Sequence, residues 1–298
     1  MLSSLALKTS RPPPEDGAIS ASTQKEFVNL RLEKLLPRNG SEPLADAVHA
    51  ACVGRGKRAR PILAMLSAAH HGGRELAALD FGCALEMIHA ASLVLDDLPC
   101  MDDAAMRRGQ PTLHRRFGED AAVLSAVALL NHAYAVIAAD DGLEAEIRLR
   151  LTSIVSEAVG FGGLVAGQIR DLRDPPSMRD EASLTSLNHQ KTGVLFVAAL
   201  EGGAVVAGAD AAAQASARLF ADRIGFAFQL WDDLQDSTST PEMMGKDAGQ
   251  DVRITFVHLW GEERTRIAIG TVIEEAITAL GDRDCPLAAY ALNLLPLA

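Results

Sequence analysis

The sequence predicts an all-α protein folded as a single domain, and three observations carry that prediction. Alanine dominates the 298 residues, leucine is frequent, and aromatic residues are only 4%. β-Branched runs are short and rarely alternate with polar residues, a pattern that favours helix over strand. Breakers then divide the chain at Gly54–Gly56, Gly72-Gly73, Pro99, Gly109–Pro111, Asp140–Gly142, Gly160–Gly163, Pro175-Pro176, Gly202–Gly208, Pro241–Gly249 and Gly281–Pro286, leaving roughly ten helical lengths between them.

In order along the chain, Met1–Ser22 carries Ser, Pro and two cations without the apolar core of a signal peptide, and reads as a mobile N-terminal arm. Residues 23–298 read as one domain, because no repeat, low-complexity tract or charged linker interrupts them. The segments Asp120–Ile137 and Leu195–Val206 are apolar on nearly every face. Such helices are surrounded by other helices or buried at a subunit interface.

Composition excludes several function classes. Apolar residues are 48% and charged residues 22%, enough for a large core and too apolar for a disordered chain. The net charge of -11 argues against nucleic-acid binding, which needs excess cationic surface. The longest apolar stretches, such as Ala121–Leu130 and Val194–Leu200, fall short of the roughly 20 residues of a membrane span, so no integral membrane protein is expected. The four cysteines, Cys52, Cys83, Cys100 and Cys285, are scattered without a CxxC pair, as expected of reduced thiols in a cytoplasmic protein.

Acidic residues cluster twice within apolar helix: Asp96-Asp97-Leu98-Pro99-Cys100-Met101-Asp102-Asp103 and Asp232-Asp233-Leu234-Gln235-Asp236. Asp232 and Asp236 lie four apart and share a helix face, so both carboxylates can reach one hard cation. Asp96 and Asp102 lie six apart and would diverge on an unbroken helix. Pro99 disfavours helical geometry at Leu98 and removes a donor, so the helix should loosen there and return Asp102 and Asp103 to the side of Asp96. An arbitrary Asp pair is more often a solvated helix end. Here Leu93-Val94-Leu95 and Phe228–Trp231 set the carboxylates against apolar surface, where charge needs a counter-ion. Oxygen donors without a Cys or His cluster favour Mg²⁺, typically in the service of a phosphorylated substrate.

Cations supply the complement. Gly54-Arg55-Gly56-Lys57-Arg58-Ala59-Arg60-Pro61 is a Gly-rich turn opening a helix, and Arg107-Arg108-Gly109 follows the first acidic cluster. Guanidinium forks and a helix N-terminus suit pyrophosphate oxygens. Either basic run alone would read as solvated surface; beside two carboxylate sets in an acidic protein, the combination is specific.

With these motifs in place, joined by Ile88-His89, Gly167-Gln168-Ile169-Arg170-Asp171, Lys191-Thr192-Gly193 and Gln229-Leu230-Trp231, the sequence resembles the trans-isoprenyl diphosphate synthases. Among them it is most similar to the bacterial geranylgeranyl diphosphate synthases, from about Lys25 to at least Trp260. The resemblance implies the isoprenoid synthase fold, a helical bundle around a central cavity, usually as a homodimer. It implies a Mg²⁺-dependent prenyltransferase that condenses isopentenyl diphosphate with an allylic diphosphate (dimethylallyl, geranyl or farnesyl) to give geranylgeranyl diphosphate. Position by position, it implies that Asp96, Asp102, Asp232 and, more distantly, Asp236 hold Mg²⁺ on the allylic diphosphate. Arg107 and Lys246 would contact that diphosphate, and Lys57, Arg60, His89 and Arg108 would bind isopentenyl diphosphate. Lys191, Thr192 and Gln229 would line the reacting carbons as catalytic residues, with Gln168 and Asp171 as cavity-wall hydrogen bonders.

Product length is expected to depend on Ala91 and Ser92, one turn before Asp96 on the same helix, with Ile88 and Leu85 a turn deeper. Relatives that stop at farnesyl diphosphate often carry an aromatic residue at the position of Ala91, and both residues here are small. The chain departs from the family at Arg253, where lysine is usual. A farnesyl diphosphate synthase, a class I terpene cyclase and a noncatalytic modulating subunit are the alternatives. The cyclase lacks the Lys57, Arg60 and His89 set, and modulating subunits tend to lose an acidic motif.

Overall fold

The computed structural model describes residues 20–38, 40, 42–53, 56–175, 179–238 and 254–295, with the side chains of Asp236 and Thr238 left undescribed. Lys246, Arg253 and most of the N-terminal arm therefore lie outside the described residues. Helix α1 spans Ala21–Leu35, α2 Pro43–Cys52, α3 Ala59–His70 and α4 Leu79–Asp96, the last preceded by a 3-10 turn at Glu75–Ala78. Two-residue strands β1 (Met106–Arg107) and β2 (Gln110–Pro111) pair antiparallel, Met106 opposite Pro111. Then follow α5 (Leu113–Phe117), α6 (Glu119–Ala139), α7 (Ala145–Val159), α8 (Leu164–Arg173), α9 (Glu181–Asn188), α10 (Val194–Val206) and α11 (Ala211–Thr238). Helices α12 (Phe256–Trp260), α13 (Glu262–Leu280) and α14 (Pro286–Asn293) close the order. The predicted all-α class holds, and the helices outnumber the predicted lengths because short pieces such as α5 and α12 cap longer ones.

Helix α4 is the central rod. Leu85, Met87, Ile88 and Ala91 are wholly buried, and the helix packs on α6, α3, α1, α2 and α10. A helix apolar on every face has no solvated side to present, so neighbours must enclose it. Helix α10 is enclosed in the same way by α3, α11 and α7.

Between α9 and α10 the backbone opens into one π-helical turn, His189–Gly193. Such a turn rotates the side chains that follow it, and it marks functional sites often. Two glycines let neighbouring helices close on it. A Cβ on Gly167 of α8 would lie 2.9 Å from Gln190 Cβ and 3.0 Å from the Lys191 nitrogen, and one on Gly225 of α11 would lie 3.2 Å from Gly193 Cα.

By length and composition, Glu75–Asp96, Glu119–Ala139 and Ala145–Arg173 are apolar enough to cross a membrane. Counting uninterrupted apolar runs missed this, because their few polar residues are scattered or sit near the ends. The first stretch is 72% buried inside the protein, whereas the second and third are 39% and 33% buried. Val123, Leu124 and Val127 of α6, Leu149 of α7, Phe161, and Val165 and Ile169 of α8 stand exposed on these less buried stretches.

Candidate active site

The first acidic cluster is built by the end of α4. After Asp96 the chain folds back: the Asp102 amide donates to the Asp96 carbonyl at 2.9 Å, Asp103 N to Leu98 O at 3.0 Å, and Ala104 N to Asp97 O at 3.2 Å. Asp103 takes a left-handed φ of 44° to complete the turn. The break at Pro99 thus brings residues six apart in sequence together, as the proline argument requires.

The carboxylates around this turn divide their tasks. Asp97 is 3% exposed and accepts from Arg107 Nε at 2.7 and 2.8 Å, with Arg107 Nη2 at 2.6 Å. A bidentate fork of this kind fixes the arginine in one orientation. Burial alone would lower the Arg107 pKa, but the bond to Asp97 together with the negative charges of Asp97, Asp96 and Asp102 raises it. Asp96 is left for other work. Burial pushes its pKa up to about 6, Lys191 and Arg107 pull it down, and Asp102 and Asp97 push it further up. A carboxylate in that position gains from a divalent counter-ion.

The second acidic cluster, on α11, is tied to the π-turn, and the charge of Lys191 in that turn is felt at Asp96. Lys191 Nζ donates to Asp171 Oδ2 on α8 at 2.6 Å, and Asp171 also accepts from Arg179 Nη2 at 3.2 Å. Thr192 Oγ1 donates to Gln229 Oε1 at 3.3 Å, and Gln229 Nε2 donates to Asp233 Oδ1 at 2.9 Å. Asp233 is 5% exposed, and its other oxygen accepts the Phe256 amide at the start of α12 at 2.9 Å. Asp233 is thereby a structural anchor, and Asp232 beside it is half-buried. His189, at the start of the turn, binds Asp222 of α11 through Nδ1 at 2.7 Å.

Cations gather around His89, two turns back on α4. His89 is half-buried, and its pKa is held well below the ordinary value by burial and then by Arg60, Arg108, Arg107 and Arg58. Arg60 opens α3 with its guanidinium 5.2 Å from the Phe196 ring centroid, and its buried Nε has no partner. Burial lowers its pKa to about 10, against the pull of Glu86. Lys57 and Arg108 are exposed at the rim. A buried, partly unpartnered guanidinium beside a neutral imidazole and two further cations has the chemistry to take an anion.

The picked residues that the structure describes have these places, with Lys246 outside the described residues. Asp96, Asp102, Arg107 and Arg108 surround the end of α4; Lys57, Arg60 and His89 form the cationic group; Lys191, Thr192 and Gln229 join α8, α9 and α11. Asp236 lies on α11, with its side chain undescribed. Ala91 is wholly buried in the core, whereas Ser92 is half-buried and donates its hydroxyl to the His89 carbonyl at 2.9 Å. Glu86 and Arg179 are not among the residues picked from the sequence. Glu86 had a visible signal, a lone charge amid the apolar residues of α4 three positions before His89.

Among the described residues, no three His, Cys, Asp or Glu side chains converge to cage an ion by themselves. The oxygen donors Asp96, Asp102 and Asp232 nonetheless fit Mg²⁺, an ion that keeps waters and shares one or two carboxylates with substrate phosphates rather than entering an all-protein cage.

The fold and this end of α4 define a class, the all-α prenyltransferases of isoprenoid synthase fold. Residues 41–259 match the family model described as polyprenyl synthetase. The chain is 42% identical over 251 residues to a geranylgeranyl diphosphate synthase of Pantoea ananas, covering 80% of this chain and 81% of the relative. It is 38% identical to one from Cyanophora paradoxa, covering 90% and 92%. Among solved structures, an FPP/GFPP synthase of Zymomonas mobilis matches with a TM-score of 0.81 and 31% identity, over 93% of this chain and 96% of that one. The chain belongs to the polyprenyl synthetase family.

Proposed function

We propose that this chain condenses isopentenyl diphosphate with an allylic diphosphate, head to tail, and releases geranylgeranyl diphosphate. The observation that carries this reading is the arrangement along α4. His89, on which Arg60 and Arg108 both act, stands seven residues before Asp96 on the same helix, about 10 Å along its axis. Two anionic groups can then be held at once, one by side-chain cations and one through metal. Relatives named geranylgeranyl diphosphate synthase support the product, together with the small Ala91 and Ser92.

Asp96, Asp102, Asp232 and Asp236 would hold Mg²⁺, which when bound neutralises charge developing on the departing allylic diphosphate. Arg107, locked by Asp97, and Lys246 orient that diphosphate. Lys57, Arg60, His89 and Arg108 orient isopentenyl diphosphate, so that its double bond faces the allylic carbon as the carbon–oxygen bond breaks. Lys191, Thr192 and Gln229 present dipoles to the allylic cation, and no side-chain nucleophile competes for it. The new carbon–carbon bond forms, and the proton then lost from the condensed chain goes to the diphosphate leaving group. Water must be kept out, because it would capture the cation.

We infer further that residues 23–298 carry the whole reaction in a cytoplasmic homodimer. Four free cysteines support the compartment. Val123, Leu124, Val127 and Leu149 support a second copy, rather than a bilayer or nucleic acid, as the cover of α6 and α7.

Incubating the purified chain with Mg²⁺, isopentenyl diphosphate and each allylic starter, then identifying the extracted product, tests the proposal. Geranylgeranyl diphosphate is expected. Farnesyl diphosphate as the end product would overturn the product, and no turnover would overturn the activity.

A further inference from the structure

Glu86 is 4% exposed in the middle of α4, one turn before His89. Its Oε1 accepts from Arg58 Nη1 at 2.7 Å, and Arg58, 3% exposed, also donates from Nε to Asn29 Oδ1 of α1 at 2.8 Å. Arg58 stands between Lys57 and Arg60 at a left-handed φ of 57°, and its carbonyl accepts the Ile62 amide at 3.2 Å as α3 begins. A long side chain is uncommon in that backbone region. Here the guanidinium is clamped to two other helices. The Arg58 and Arg108 guanidiniums both lie against Gly56: a Cβ there would sit 3.0 Å from Arg58 Nη1 and 3.2 Å from Arg108 Nη1.

We propose that Glu86 is a positioning residue for isopentenyl diphosphate: by its ion pair with Arg58 it ties the turn carrying Lys57 and Arg60 to α4, beside His89. This rests on the assignment of Lys57, Arg60, His89 and Arg108 to that substrate made above. Two roles for a carboxylate here predict opposite effects. A carboxylate acting only as a nearby negative charge repels the incoming diphosphate, so its removal would tighten binding. A carboxylate acting through Arg58 holds cations in register, so its removal loosens binding. The close ion pair favours the second role, because its two charges cancel at a distance while the clamp remains. Stability alone is a weak reason for a buried pair, since apolar replacements of similar volume often serve as well.

The test is steady-state kinetics of the full chain with Mg²⁺, varying each substrate at saturation of the other, for wild type, Glu86→Gln, Glu86→Asp, Arg58→Gln and the Arg58→Gln/Glu86→Gln double variant. The expected result is an increase of about tenfold in KM for isopentenyl diphosphate in both single Gln variants, with KM for the allylic substrate within about twofold of wild type. The double variant should be no worse than either single, and Glu86→Asp should recover part of the loss. An unchanged or lowered KM for isopentenyl diphosphate in Glu86→Gln would overturn the proposal, as would parallel shifts in both KM values. If Glu86→Gln fails to fold, the double variant decides, because it leaves no lone buried charge: a wild-type KM overturns the proposal and a selective rise supports it. A wild-type chain that turns over no isopentenyl diphosphate would sink the site assignment and the role of Glu86 with it. Normal wild-type kinetics with unaffected variants would sink Glu86 alone.

Discussion

The backbone amide of Asp102 donates to the carbonyl oxygen of Asp96 at 2.9 Å. A main-chain bond therefore sets the spacing of the two carboxylates, whatever their ionisation, and changing either side chain leaves the turn in place. Asp96→Asn and Asp102→Asn should each lower kcat by about 10²–10³-fold without unfolding the protein. Chelation should abolish turnover and added Mg²⁺ restore it. Product formation in radiolabelled assays, with circular dichroism as the folding control, checks this.

Lys191 is held by Asp171 at 2.6 Å at the turn that also carries Thr192. Asp171→Asn keeps the shape and removes the charge that aims the ammonium, so kcat should fall by about tenfold or more. Single-turnover rates with saturating substrates would expose the opposite outcome, an unchanged chemical step.

Product length supplies a sharper test. Ala91 has no exposed surface and Ser92 is half-buried. On the proposed reading the growing prenyl chain runs in a groove beside α4, and Ala91→Phe should close that groove at a cost of about 1–3 kcal/mol of overpacking, because position 91 has no free surface. Ser92→Phe should close it at less cost. Chromatography is expected to find farnesyl diphosphate from both variants, and an unchanged product would defeat the cavity argument.

Gly167→Ala places a methyl 3.0 Å from the carbonyl carbon of Gln190 and the nitrogen of Lys191, backbone atoms with nowhere to go. A loss of about 1–3 kcal/mol is expected, read as a drop in Tm of several degrees. Calorimetry that found no drop would mean α8 can slide away from the π-turn.

The His189–Asp222 pair gives a pH signature. Its hydrogen bond to Asp222 raises the His189 pKa above 6.5, and the same bond lowers that of Asp222 below 3.8. The histidine contribution is complete below pH 6.5 and is lost as pH rises through its raised value. The aspartate contribution is present above 3.8 and is lost as pH falls through its lowered value. The pair therefore stabilises most between those limits, by no more than about 1 kcal/mol at this exposure. Asp222→Asn should flatten the part of the stability profile above pH 6.5, followed by urea titration at a series of pH values.

Much of this was legible in the sequence. Alanine-rich segments and regular breakers gave the helical class, and Pro99 accounted for the return of Asp102, because proline acts locally. The lone charges in apolar helix likewise marked the residues that meet around the end of α4 and His89. What stayed hidden depends on contacts far apart in the chain. Neither the π-turn at His189–Gly193 nor the pairing of Asp233 with the Phe256 amide has a local signature, since each is settled by helices that meet only after folding. Alanine at position 91 could have meant an open groove or close packing, and only burial separates it from Ser92. Glu86 was visible as a lone charge, but its partner Arg58 lies 28 residues earlier.

Gly167 and Gly225 bring α8 and α11 to van der Waals range of the π-turn, so the floor beneath Lys191 and Thr192 has no slack. Enlargement there by mutation would displace Lys191 and Thr192 before it made room. Engineering toward bulkier or longer substrates should therefore carve the α4 side, whose small residues can change without moving the reacting end, and treat the three-helix junction as fixed ground.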